Sequence, residues 1–117
     1  MILVVSKNQN LSKLLESKIT NVGEEMTVVM PGFSFVNQLL ELEIASVNAI
    51  VFDEDSMDRT ISILENSGEL ELVKTINFLK VVKKHSDDYI YSTVNAIEIE
   101  EDAIEDQFEV LIKSFME

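Results

Sequence analysis

The chain has no cysteine and no tryptophan, and only one proline, three glycines and one histidine among 117 residues. Without cysteine there is neither a disulfide framework nor thiolate chemistry. A single histidine and no thiolate also leave a structural zinc site without its ligands. No metal and no cofactor is expected. Cations are scarce as well: nine lysines and arginines stand against 22 aspartates and glutamates, a formal charge of −13. A chain of that sign repels phosphate backbones, so nucleic acid is not expected as a partner. No apolar run approaches the length that crosses a bilayer, and Ile2-Leu3-Val4-Val5 stops at Ser6-Lys7, well short of a signal peptide's apolar region. No membrane contact is expected, and a cytoplasmic location follows as an expectation.

What is present suits one packed domain over residues 1–117. The hydrophobic fraction is 46%, within the globular range. Ile2 to Val5 reads as a strand buried on both faces. Asn8 or Asn10 can cap a helix carrying Leu11, Leu14, Leu15, Ile19 and Val22 on one stripe, closed by Gly23. Met26 to Met30 is a second strand, ended by Pro31-Gly32. Phe35, Val36, Leu39, Leu40 and Ile44 recur at helical spacing. Val47 to Phe52 is a third apolar run, stopping at Asp53. The alternation of strand and helix predicts an α/β fold, doubly wound around a mainly parallel sheet.

The second half is less regular. Ile61 and Leu64 predict a short helix ended by Ser67-Gly68. Residues 70–85 fit two readings: one helix, favoured by the spacing of Leu72, Val73, Ile76, Leu79 and Val82, or a strand from Thr75 to Val82 entering a short helix. Tyr89 to Val94 is β-prone, with Ala96 to Ile99 extending it or returning beside it. Ile104, Phe108, Leu111, Ile112 and Phe115 mark a last helix, with acids crowding its first turns and Lys113 near its end, as the helix dipole favours.

Chemistry concentrates at Asp53-Glu54-Asp55-Ser56-Met57-Asp58, directly after a buried strand. In doubly wound folds ligands sit outside the carboxyl ends of strands. Carboxylates there can hold Mg²⁺ or act as nucleophiles, or simply form a solvated acidic loop. With its length, the strand–helix order of its first half, Asp53 ending the third strand, and Asp87-Asp88-Tyr89-Ile90 leading towards a last strand, the chain resembles the receiver domain of bacterial response regulators. The resemblance implies a flavodoxin-like fold, a two-component signalling role and Asp53 in the phosphoacceptor position. It also implies departures. A working receiver has an acidic pair after its first strand to hold Mg²⁺, where this chain has Ser6-Lys7. It has a lysine ending its last strand, and Tyr91-Ser92-Thr93-Val94 has none. The interval from Asp53 to that segment is short, so a fourth strand or helix is expected to be eroded. Phosphoryl transfer relies on such cations, and Asp53 is expected to be inactive, paired with Lys7.

The reading is therefore a noncatalytic pseudo-receiver, not an enzyme, acting by contact with a protein partner or as a homodimer. The alternative is a receiver still phosphorylated on Asp53 with Mg²⁺. A distant alternative takes Asp53-Glu54-Asp55 as the two-aspartate motif of a haloacid-dehalogenase-type phosphatase, although there the motif follows the first strand. The one basic stretch, Lys80 to His85, reads as a charged helix end or a contact patch. Lys80, Lys83 and Lys84, with Tyr89 and Tyr91, are the candidate contact residues, facing the acidic start of the last helix of another copy.

Overall fold

The computed structural model describes residues 1–31, 33–41, 46–73, 76–83 and 95–116. Five parallel strands lie in the order β2-β1-β3-β4-β5: β1 is Ile2–Val5, β2 Met26–Val29, β3 Ala49–Asp53, β4 Asn77–Val82 and β5 Asn95–Glu100. Among the described residues, four α-helices connect or follow them: α1 (Gln9–Asn21), α2 (Phe33–Glu41), α3 (Glu54–Ser67) and α4 (Ile104–Met116). This is the doubly wound, flavodoxin-like architecture expected from the sequence, and among the described residues no helix is long and apolar enough to cross a membrane.

Side-chain alternation divides the core in two. Leu3, Val5, Ile50, Phe52 and Phe78 point to the layer of α2 and α3. Ile2, Val4, Ala49, Val51, Leu79 and Val81 point to α1 and α4. Successive strand residues face opposite sides, so a strand covered on both faces must be apolar throughout, which is why β1 shows no hydrophilic residue. Phe52 centres the first layer: its ring lies 5.9 Å from that of Phe35 and 5.4 Å from that of Phe78.

The helix ends are set locally. Asn8, rather than Asn10, caps α1: its side-chain oxygen accepts the Leu11 N–H at 3.1 Å. Gly23 and Gly68 follow α1 and α3 with φ of +80° and +76°, and in each case the next N–H returns to a carbonyl of the last turn, Glu24 to Ile19 at 3.2 Å and Glu69 to Leu64 at 3.0 Å. Only glycine takes that conformation without steric cost.

Between residues 70 and 85 the strand reading prevails. A short 3-10 turn, Leu70–Val73, precedes β4. The helical spacing of Leu79 and Val82 is incidental: alternation puts Phe78 against α2 and α3 and Leu79 and Val81 against α1 and α4, and sheet pairing on both sides overrides the local pattern. The fourth strand is thus intact. The other part of that expectation, an eroded fourth helix, falls between β4 and β5, where residues 84–94 lie outside the described residues. The last strand, Asn95–Glu100, contains the expected Ala96–Ile99 segment; Tyr89–Val94 lies outside the described residues.

α4 joins α1 through polar contacts: Lys18 Nζ lies 2.7 Å from Glu105 Oε2, and Asn21 donates to Glu109 at 3.1 Å. The Glu105 hydrogen bond raises the Lys18 pKa above its ordinary 10.5, burial opposing it. A raised ammonium pKa adds stability that is complete below the ordinary value and is lost as pH climbs through the raised one. Lys18→Gln should lower the melting temperature slightly at neutral pH, and the gap should close as pH passes 10.5. A gap unchanged at high pH would assign the effect to packing of the lysine stem.

Candidate functional site at the carboxyl ends of the strands

β1 and β3 are neighbours at the point where strand order reverses, the place where open α/β sheets form their crevice. Val5 pairs with Phe52, so the next residues, Ser6 and Asp53, emerge side by side. The Ser6 hydroxyl donates to Asp53 Oδ2 at 2.5 Å and accepts the Asn8 N–H at 2.9 Å. The other carboxylate oxygen, Oδ1, accepts the Ser56 N–H at 2.7 Å. Asp53 is thereby the N-cap of α3, its backbone extended at φ −77° and ψ 168°. Both oxygens of the candidate phosphoacceptor thus hold a protein donor, and the carboxylate ties the β1–α1 turn to the start of α3.

A cleft of about 420 Å³ opens over this pair. Lys7, Asn8, Glu54, Asp55, Ser56, Val81, Lys83 and Glu101 line it with Asp53. Four carboxylates and two ammonium groups thus share one opening. The stretch from Asp53 to Asp58 is not a loop. It is the end of β3 and the first turns of α3, with Ser56 and Met57 buried and Glu54, Asp55 and Asp58 exposed. Acids in a first turn are where the helix dipole favours them.

The predicted Lys7–Asp53 ion pair does not form. Lys7 is exposed and shares the cleft, while the buried Ser6 hydroxyl holds the carboxylate. The parallel register decides this: the residue level with Asp53 is Ser6, and Lys7 is one step further along a chain already turning into α1. Asp53 has a protein donor on each oxygen, and among the described residues no group of three acidic or histidine side chains is close enough together to hold a metal.

The described part of the basic stretch, Lys80 to Lys83, is the end of β4 and the residue after it. Lys80 is half-buried in mid-strand, level with Phe52 of β3 and Glu98 of β5. Lys83 lies beyond the end of β4 in the cleft, its N–H 3.5 Å from Glu54 Oε2. Lys84, His85, Tyr89 and Tyr91 lie outside the described residues.

Among solved structures, a response regulator receiver domain protein from Bacillus halodurans is similar over 97% of this chain and 94% of its own, with a TM-score of 0.73 at 15% identity. The fold is that of a receiver domain. The E. coli constitutive lysine decarboxylase contains a similar unit, with a TM-score of 0.71 and 11% identity over 97% of this chain, which spans 16% of the enzyme chain. No protein-family model matches the sequence, and neither does any curated protein. On the receiver fold, Ser6 and Lys7 follow β1 where the resemblance calls for acids. The last strand ends in Glu100 where it calls for lysine.

Ser6 and Ser56 were not legible as site residues. Ser6 registers in the sequence only as a missing acid. Ser56 carried a faint signal, an aspartate three residues before it at the start of an apolar helical stripe, the spacing of an N-cap.

Proposed function

We propose that this chain is a noncatalytic receiver-like regulatory module that works by contact with another protein. The state of Asp53 carries this reading. Its carboxylate is committed to the Ser6 hydroxyl and to the N-terminus of α3, so it acts as a structural fastener between two turns. To accept a phosphoryl group it would have to release one or both donors. It would also have to do so without a metal-binding acid pair to neutralise the incoming oxygens. On this reading partner contact lies on the β4–β5 side, around Lys83, which is exposed and lines the cleft.

The second reading, a receiver phosphorylated on Asp53 with Mg²⁺, draws on Glu54 and Asp55, which line the same cleft. Incubation with acetyl phosphate and Mg²⁺, followed by intact-mass measurement, separates the two. The expected result is an unchanged mass. A phosphate adduct that disappears in Asp53→Asn would establish the second reading and overturn the first.

A further inference from the structure

β2 closes one side of the sheet, and among the described residues no strand pairs with its outer edge. Ile2 N–H donates to the Glu25 carbonyl at 2.8 Å and Ser6 N–H to the Val29 carbonyl at 3.3 Å. With the parallel register of Ile2 to Met26 and Val4 to Val28, it follows that Glu25, Thr27 and Val29 turn their backbone groups towards β1. The N–H and C=O of Met26, Val28 and Met30 therefore point away from the sheet. The side chains of these three residues also share a face, with Val28 44% and Met30 50% exposed.

Proteins normally blunt such an edge with charge, proline or a bulge. The opposite edge, β5, carries Glu98 and Glu100. Met26 to Met30 carries no charge, in a chain whose net charge is −13. The groove along it, about 400 Å³, is lined by Val28 and Met30 with Asn37 and Gln38 of α2, again all uncharged.

We propose that this edge is a self-association site, in which β2 pairs antiparallel with β2 of a second copy about a two-fold axis at Val28. In that register Val28 faces Val28 and Met26 faces Met30, so each outward N–H meets an outward carbonyl. The exposed apolar side chains form one continuous stripe across the joint. A two-fold contact requires a patch complementary to itself, and this ladder is. The charge pattern fits the same occupant: the nearest exposed acid, Glu25, falls opposite Pro31 and not opposite another carboxylate, whereas a charged foreign strand finds no opposite charge on β2. A strand this short buries less than a standard interface, so the dimer is weak. Two copies of like charge repel at long range, so salt strengthens it by screening. The site is separate from the Asp53 cleft and does not depend on how that cleft works.

Analytical ultracentrifugation of the full chain, over a range of concentrations at low and high salt, tests the proposal. The expected result is a monomer–dimer equilibrium shifted to dimer by concentration and by salt. Val28→Pro removes the central outward N–H without touching the bonds to β1, and Val28→Lys charges the edge. Each should weaken association about tenfold or more while the far-ultraviolet circular dichroism stays native. If the proline variant does not fold, the lysine variant decides. Amide exchange should slow with concentration at Met26, Val28 and Met30 and stay constant at Thr27 and Val29. A monomer under all conditions, a dimer dissociated by salt, or a dimer indifferent to a folded Val28 variant would overturn the proposal.

Discussion

Asp53→Ala should destabilise the fold by roughly 2–3 kcal/mol, a loss expected of a structural residue and not of a free phosphoacceptor. Removing an N-cap costs about 0.5–2 kcal/mol. The change also strands the hydroxyl of Ser6, a residue only 3% exposed, which donates a hydrogen bond to this carboxylate. An unsatisfied buried donor costs about 1–3 kcal/mol. The two losses overlap, because the same carboxylate serves both donors. Asp53→Asn should lose roughly half as much, since an amide oxygen still caps a helix. Urea titrations of the three proteins at neutral pH check this. An Asp53→Ala midpoint indistinguishable from wild type would mean that the carboxylate is free to serve another purpose.

One residue earlier, Phe52→Ala should cost about 3–5 kcal/mol. Phe52 is fully buried in the middle strand of the sheet and touches Phe35 from α2 and Phe78 from β4. Truncation removes the ring that joins three elements, and a sheet paired on both sides cannot collapse into the gap. A domain of this size is stable by about 5–15 kcal/mol, so the loss takes a large share and should appear as a much lower urea midpoint. Phe52→Leu, nearer in volume, should cost well under half as much. A loss below about 1 kcal/mol for alanine would show that α2 moves in to fill the space.

These neighbours show why the sequence was readable to a point. The apolar runs from Ile2 to Val5 and from Val47 to Phe52 read as buried strands, and the stripes of α1 and α4 as helices lying on such a sheet. Pattern and burial agree there, because one side-chain period satisfies both. Chain order then limited the topology to a parallel sheet, and Asp53 was placed at its carboxyl edge because the apolar run ends there.

Three further features depended on tertiary structure. Residues 70–85 carry spacing that suits a helix, and only pairing with β3 and β5 makes Asn77–Val82 a strand. That pairing also separates Lys80 from Lys83, which a helix would have kept on one face. The partner of Asp53 is Ser6 and not Lys7 because the β1–β3 register puts Ser6 level with it, and register is a relation between strands distant in sequence. Among the described residues, the edge of β2 is open because the strand order leaves β2 outermost. Local sequence sets periodicity, caps and turns, since these depend on residues a few positions apart. Which strand lies beside which, and in what register, is set by the packing of the whole core, and on that depend what Asp53 bonds and which edge is left open.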